Sequence, residues 1–313
     1  MLEEKIAHIN YFIENTRFYA SILMPTTGLF TNILNIIICL RKTLRTNLVG
    51  YYNFTISTWN ILLFITFLIV YLPPIVYKQD LTLKSNTLCW SLSYVSRIMP
   101  QMAIWSNVLL TIDRFMSVSF PGRCGFRNNR KILSFILLGM FVLILILNTP
   151  NIFYKILIEN NGTRVCSSTK EIVLIRNIVI ALFGIVLPAV THIILSLILI
   201  VKLFSSRRNA TIRNQSEKRD RRFSLIVLAL NVLFCLTQLP YSLITIYVGV
   251  KSIVPTQFLS STSESYSQAV VSLVFYVTFI LAGFNFNSLL VVNLMLRKIM
   301  CRAKNLREKS VVF

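Results

Sequence analysis

The chain has 313 residues, of which 55% are hydrophobic and only 14% are charged, and its formal net charge at pH 7 is +21. Its mean hydropathy is +0.68, and a soluble domain of this length could not bury so much apolar surface. The composition therefore excludes an ordinary soluble protein and predicts an integral membrane protein.

Seven apolar stretches along the chain are long enough to cross a bilayer. Backbone polar groups in lipid must be hydrogen-bonded within the protein, so long runs without alternation predict helices and not barrel strands. We expect an all-α membrane protein, a seven-transmembrane helix bundle in one domain over residues 1–313, with a basic tail at 297–313. The spans are expected at about residues 18–40, 51–77, 88–118, 132–157, 172–204, 223–250 and 267–296.

The distribution of charge predicts how the bundle is oriented. If the N-terminus lies outside, 22 of the 32 lysines and arginines fall on the cytoplasmic side and seven of the eleven acids fall outside. Basic residues concentrate on the cytoplasmic side of membrane proteins. The C-terminus is then cytoplasmic, in a multi-pass protein of the plasma membrane. Contact with anionic inner-leaflet lipid explains the basic loops better than nucleic acid does.

Residues 1–16 are polar and carry three acids, so they do not resemble a cleavable signal peptide. We expect the first span to direct insertion. In the loop after the fourth span, Asn161-Gly162-Thr163 is a glycosylation sequon on the predicted outer side. Asn161 is therefore a glycosylation candidate, although its closeness to the membrane could prevent modification.

The cysteines fit the same topology. Cys89 opens the third span and Cys166 follows the fourth, both on the oxidising outer side, so we predict a disulfide between them. Cys39 and Cys235 fall within spans and are expected to be packing residues. Cys301 lies among basic residues just past the seventh span, where it is either a palmitoylation site or a free cytosolic thiol.

The third span ends in Asp113-Arg114-Phe115. Arg114 lies 25 residues after Cys89, a distance of about 37 Å along a helix, so the two residues are expected at opposite membrane surfaces. Ionisable residues in a membrane helix are costly, which favours a functional role for this pair. The alternative is that the pair only anchors the helix end by snorkelling.

Other short motifs occur at characteristic places along these spans. In chain order they are residues 28–32 and 44–47, Cys89, Asp113-Arg114-Phe115, Pro121, Pro188, Phe234, Pro240, residues 285–289 and residues 296–297. In this order and spacing they resemble the motifs of rhodopsin-like (class A) G-protein-coupled receptors, over nearly the whole chain. Asn32 and Asn285 stand at the family's first-helix and seventh-helix asparagines, and residues 296–297 imply a short membrane-parallel eighth helix.

The resemblance implies a switch at the cytoplasmic end. Asp113 would hold Arg114 inward at rest, and Arg114 would contact a heterotrimeric G protein when the sixth helix moves outward. That movement would hinge at Pro240, since proline removes a helical hydrogen bond, and Pro188 would kink the fifth helix in the same way. Asp220 either forms a second lock with Arg114 or pairs with neighbouring arginines.

Several positions depart from the family pattern. Asn60 stands where the family has a sodium-binding aspartate, which disfavours sodium regulation. Gln238 replaces the sixth-helix tryptophan, while Phe286 and Leu289 replace the seventh-helix proline and tyrosine. A divergent receptor-like protein that no longer signals is therefore the alternative to a signalling receptor.

The ligand is predicted from the outer halves of the spans. Ser96 occupies the place of the aspartate that binds amines, so a biogenic amine is disfavoured. Arg97 would pair with an anionic group of a ligand, pair with Glu171, or snorkel outward. An acidic outer rim and a likeness to invertebrate neuropeptide (FMRFamide-like) receptors favour a peptide. The candidate pocket residues are Ser96, Arg97, Gln101, Arg176, Gln238, Tyr241 and Thr245.

Other classes of function fit less well. A transporter or channel would need titratable groups near the middle of the membrane, where the chain has no acid. His192 is the one candidate there, and a lone histidine is more typical of packing. The chain has only two histidines and no catalytic motif, so we expect neither an enzyme nor a bound metal or other cofactor.

Overall fold

The computed structural model describes residues 2–45, 48–70, 72–120, 130–153, 156–160, 163–167, 182–208, 225, 227–229, 231–237, 270–274 and 277. The long helices within these ranges are numbered here by the spans that they form. They are α1 (Leu2–Cys39), α2 (Leu48–Val70), α3 (Asn86–Ser119), α4 (Arg130–Asn148), α5 (Leu187–Arg208) and α6 (Val227–Thr237).

Shorter elements join these helices. Lys42–Arg45 forms one helical turn before α2, Leu72–Val76 is a short helix after α2, and Pro150–Phe153 follows α4. The 3₁₀ turn Leu81–Leu83 is capped by Asp80, whose carboxylate accepts from the backbone N–H of Thr82 at 2.8 Å. A π-helical segment, Leu182–Val186, leads into α5.

Two of the predicted span boundaries differ from the bounds of the helices. The helix that contains the first predicted span begins at Leu2, well before residue 18, because the polar residues before the span continue the helical turn instead of breaking it. The fourth span was expected to reach residue 157, but helix ends at Phe153 and a strand begins at Ile156. The start of the predicted fifth span and most of the sixth and seventh lie outside the described residues.

The strand after α4 belongs to a β-hairpin that the sequence analysis did not foresee. Strands β1 (Ile156–Asn160) and β2 (Thr163–Ser167) pair antiparallel, with Asn160 opposite Thr163 and Leu157 opposite Cys166. In the sequence they are separated by Asn161-Gly162, the dipeptide most typical of tight hairpins. Apolar β-branched residues in both strands favour extended backbone over helix, which is why the fourth helix stops where it does.

The side chains of the bundle are distributed as expected for a protein in lipid. Large apolar side chains such as Phe30 and Phe135 are 64% and 72% exposed, while Asn32, Asn53 and Asn60 are buried. Four described helices are long and apolar enough to cross a membrane: Glu4–Cys39, Gly50–Val76, Arg130–Asn148 and Leu182–Lys202. Helix α3 is more polar, but its 34 residues span about 51 Å, more than a hydrocarbon core.

Helix α3 has the central position among the described helices, since it packs against α2, α4 and α5. Near the Arg114 end, Leu110 joins Tyr52 and Ile56 of α2 and Leu133 and Leu137 of α4 in one buried cluster. Toward the Cys89 end, a second cluster of α3 and α4 side chains is built on Ile98, Met102 and Ile144. The central helix therefore carries both ends of the candidate site.

A glycine allows α1 and α2 to approach closely. A Cβ on Gly28 would overlap the ring of Phe64, whose side chain is fully buried. Small residues permit such contacts between membrane helices. We expect Gly28→Ala to lower the stability of the purified protein by about 1–3 kcal/mol through overpacking, measured as a fall in Tm in detergent.

The matched control for this substitution is Gly139→Ala. A Cβ at Gly139 meets no atom within 4 Å, while the change in helix propensity is the same for both glycines. The difference between the two Tm values therefore isolates the contact with Phe64. Equal Tm values for the two variants would show that the Phe64 ring moves aside without loss of stability.

Candidate functional site

Arg114 is buried at the end of α3. Its side chain is 4% exposed and that of Asp113 is 9% exposed, and the two form an ion pair. The Nε of Arg114 donates to Oδ2 of Asp113 at 3.0 Å, and its Nη2 donates to the same oxygen. A buried charge is tolerated when a partner neutralises it and accepts its hydrogen bonds. The predicted pair is thus brought together, with the guanidinium held away from solvent.

Phe115, the third residue of the motif, is half-buried. Its ring lies 6.5 Å from that of Phe120 in an edge-to-face arrangement. Phe120 is also the C-cap of α3, and its backbone N–H donates to the carbonyl of Met116 at 3.0 Å. Phe115 therefore packs against the end of its own helix, where an aromatic pair stabilises the last turn.

One turn away from Arg114, four buried polar side chains join three helices. Thr111 of α3 lies 3.3 Å from Nδ1 of His192 in α5 and donates to Oδ1 of Asn231 in α6 at 3.1 Å. Nδ2 of Asn231 donates to Oγ of Ser196, also in α5, at 3.0 Å. The ring of Phe234 covers the group, 4.7 Å from the His192 ring. We call Thr111, His192, Ser196 and Asn231 the polar cluster.

Three of these four residues were not predicted from the sequence, and the fourth, His192, was assigned to packing. His192 does pack against Phe234, but its Nδ1 also faces a hydroxyl of another helix. The spacing along the sequence could have indicated two of these residues. Thr111 lies three residues before Arg114, and Asn231 lies three residues before Phe234. Residues three apart share a helix face, so a polar residue there points into the bundle.

A second polar group joins α1 to α2. Nδ2 of Asn60 donates to Oδ1 of Asn32 at 3.1 Å, and Nδ2 of Asn32 donates to the Gly28 carbonyl at 2.8 Å. Asn35 donates to the hydroxyl of Ser57 in the same region. Asn32 and Asn60, predicted as motif positions, are thus in contact, through neutral amides and without a carboxylate.

The pocket candidates on α3 have different surroundings. Gln101 is buried, and its Oε1 accepts from Nδ2 of Asn148 at 2.7 Å, so it links α3 to α4. The hydroxyl of Ser96 donates to the carbonyl of Ser93 in its own helix at 3.0 Å. Arg97 is half-buried. Of the three, Arg97 is the one with charge available to an incoming ligand.

At the other end of α3, the predicted disulfide is confirmed. Cys89 and Cys166 are bonded, with their Cα atoms 5.7 Å apart. Cys89 is fully buried in the first turn of the helix, which begins at the Ser85 cap. The bond therefore ties strand β2 of the hairpin to the central helix.

The structure also has a cavity at α1 that was not predicted from the sequence. It is a wide, open depression with a volume of about 510 Å³. The polar groups that line it are Glu4, Lys5 and His8 of α1, beside Ile9, Phe12 and Leu273. No cluster of three or more metal-ligating side chains occurs within the described ranges.

The family model of the seven-transmembrane receptors of the rhodopsin family matches residues 31–290. The chain belongs to this family. A rhodopsin-family receptor is a seven-helix membrane protein that responds to an extracellular ligand and signals through G proteins, and it is not an enzyme. A comparison with curated proteins returns no match. The narrower likeness to neuropeptide receptors stays a prediction.

The receptor's remaining predicted residues divide into two groups. Pro188 is described: it is buried in the first turn of α5, directly after the π-helical segment, where a missing N–H disturbs regular α-helical bonding. The others lie outside the described residues, namely Asn161, Arg176, Asp220, Gln238, Pro240, Tyr241, Thr245, Asn285 and Cys301.

Proposed function

We propose that this receptor binds an extracellular peptide and activates a heterotrimeric G protein through outward movement of the sixth helix, with Arg114 contacting the G protein. The observation that carries the proposal is the burial of Arg114 against Asp113. The long side chain is held inside the bundle although α3 continues only as far as Ser119. An arginine that served only as an anchor would extend to the membrane surface.

The buried pair suits a switch for a chemical reason. A guanidinium remains charged at all physiological pH values and offers five donors in a fixed plane. It can therefore exchange one set of acceptors for another without gaining or losing a proton. In the resting receptor Asp113 supplies those acceptors; in the active receptor the G protein supplies them. Asp220 is proposed as a further resting-state acceptor, and Pro240 as the hinge of the sixth helix.

A peptide ligand is supported by the outer surface near the disulfide. A two-stranded sheet has two edges, whose backbone donors and acceptors suit an extended peptide. Arg164 and Val165 of β2 are exposed there. The cavity at α1 presents a carboxylate from Glu4, and Arg97 offers a positive charge on α3. These groups match a peptide with charged and backbone polar groups better than a small amine.

The proposed orientation places the N-terminus outside and the C-terminal tail in the cytoplasm. It is supported by the excess of basic residues on the Arg114 side and by a disulfide at the opposite end. In this orientation the basic loops face anionic inner-leaflet lipid. Asn161 is then available for glycosylation outside, and Cys301 for palmitoylation inside.

A peptide-library screen tests the ligand class. Cells that express the full chain are exposed to a peptide library and, separately, to a panel of biogenic amines, and a second messenger is measured. We expect at least one peptide to produce a concentration-dependent signal that is absent from untransfected cells. A response to amines alone would contradict the peptide proposal, because Ser96 lacks the charge that an ammonium group needs.

A further inference from the structure

The polar cluster next to Arg114 has a role of its own. We propose that Thr111, His192, Ser196 and Asn231 act as a latch that holds α6 against α3 and α5 in the resting receptor, and that activation requires its release. These side chains are positioning residues: they act on Arg114 through the location of the sixth helix. The inference rests on the proposed outward movement of that helix.

All four side chains are at least nine-tenths buried, although each lies on a membrane helix. On α5, His192 and Ser196 are four residues apart and share one face, while Ile194 and Leu197 beside them are exposed. Polar side chains are costly in hydrocarbon unless they are hydrogen-bonded, so this face is stable only against polar partners on neighbouring helices. Those partners are Thr111 and Asn231.

The hydrogen bonds form a chain that passes through α6. A threonine hydroxyl has one hydrogen to donate and can also accept. When Thr111 donates to Oδ1 of Asn231, its oxygen can accept from Nδ1–H of His192, and the Asn231 amide donates onward to Ser196. Asn231 thus contacts α3 through its oxygen and α5 through its nitrogen. One amide on α6 joins it to both of its neighbours.

Thr111 has a second acceptor, which makes the latch reversible. The carbonyl of Asn107, one turn back in α3, lies 3.0 Å from the Thr111 hydroxyl. One hydrogen cannot serve both acceptors at full strength. When α6 moves away, the hydroxyl can turn entirely to Asn107 and remain satisfied. Opening therefore leaves no unpaired hydroxyl on α3, and the resting and open arrangements are both accessible.

The position of the cluster couples it to the switch. Thr111 precedes Arg114 by three residues, about 4.5 Å along the axis and on the same face of α3. An outward movement of α6 about Pro240 separates Asn231 from Thr111 and Ser196 as space opens beside Arg114. Breaking the latch by mutation should therefore shift the resting receptor toward the open arrangement without any ligand.

The direct test measures the position of α6 in the full-length receptor in lipid nanodiscs. Spin labels are attached at Leu225→Cys, before α6, and at Ile132→Cys, at the start of α4; both side chains are exposed. The background carries Cys39→Ala, Cys124→Ser, Cys235→Ala and Cys301→Ser, so that no other thiol reacts. Distances between the labels then report the open and closed populations without a G protein or a ligand.

We expect Asn231→Ala and Thr111→Val to raise the ratio of open to closed receptor about threefold to tenfold, as for loss of one or two interhelical hydrogen bonds in a membrane. Thr111→Ser keeps the hydroxyl and should retain the parental distances. Thr237→Ala is the matched control, because Thr237 is a buried threonine of α6 that donates to the Leu233 and Phe234 carbonyls of its own helix.

Unchanged distances in both Asn231→Ala and Thr111→Val would overturn the latch. So would a Thr111→Ser shift as large as that of Thr111→Val, since packing and not the hydroxyl would then be responsible. Thr111→Val nearly preserves side-chain volume, so it tests the latch even if Asn231→Ala does not fold.

A parallel assay of ligand-independent G-protein activation separates the latch from the proposed function. We expect activation to rise with the open population and to disappear when Arg114→Ala is added to Asn231→Ala. If the distances shift while no G protein responds, the latch stands and the proposed function fails. If neither the distances nor the activation changes, the latch itself is wrong.

Discussion

Arg114→Ala is expected to reduce ligand-driven G-protein activation more than tenfold while ligand binding at the opposite end of α3 persists. Removing one partner of a buried charged contact at a protein interface costs about 2–5 kcal/mol, which exceeds a factor of ten. The substitution also leaves Asp113 buried without the guanidinium that neutralises it. The measurement is agonist-stimulated nucleotide exchange on purified G protein, normalised to the amount of receptor at the cell surface.

Two further arginine variants make this test specific. Arg114→Lys keeps the charge but loses the planar fork, so it should recover activity only in part. Arg130→Ala removes an exposed arginine at the same end of the bundle, where it donates to the Arg45 carbonyl, and it should signal as the parent does. Asp113→Asn should act in the opposite direction and raise basal activity, because the amide no longer balances the charge of Arg114.

Equal G-protein activation by the parent receptor and Arg114→Ala would refute the proposed role of this arginine. If, in addition, neither the parent receptor nor Arg114→Ala responded to any ligand, the result would favour a receptor-like protein that does not signal. A current or a solute flux that persists without G protein would point instead to a transporter.

Loss of the disulfide is expected to have the second large effect. The Cys89–Cys166 bond spans 77 residues, and closing a loop of that length stabilises a native fold by about 2–4 kcal/mol. We expect Cys89→Ser, Cys166→Ser and the double variant to show lower surface expression and a lower Tm. Peptide binding should fall with them, because the bond holds the hairpin of β1 and β2 to α3.

Reduction of the parent receptor provides an independent comparison. Dithiothreitol should lower the parent's Tm to that of the double variant and leave the variant itself unchanged. Cys235→Ala is the matched control, since Cys235 is a free, half-buried cysteine on α6, and its Tm should stay near the parent's and remain sensitive to the reductant. A double variant as stable as the parent would show that hairpin packing alone holds this surface in place.

The features that sequence reasoning predicted correctly depend on local composition. The membrane class follows from hydropathy, which is summed over neighbouring residues. The disulfide followed from the membrane side on which Cys89 and Cys166 fall, and the contact of Asp113 with Arg114 joins adjacent residues. Arg114 and Asp113 were assigned through family spacing, and that spacing is also local to one helix.

The differences between the predicted spans and the observed helices also have a local cause. The first helix extends back to Leu2 because hydropathy marks where a helix enters lipid and does not mark where it ends in water. The predicted fourth span extends beyond the observed helix because an apolar run such as that at 156–158 is compatible with both a helix and a strand. Pairing with β2, which the hydropathy of one segment cannot report, decides between the two.

What the sequence by itself determined is the membrane-spanning class, the receptor family and the charged end of α3, because each rests on residue types and on their spacing along the chain. Only the tertiary structure decided which polar faces meet inside the bundle. Thr111 contacts His192 across 81 residues of chain and Asn231 across 120, and Gln101 joins Asn148 across 47. Such contacts depend on how each helix is rotated against its neighbours, and that rotation is set by packing of all the helices together.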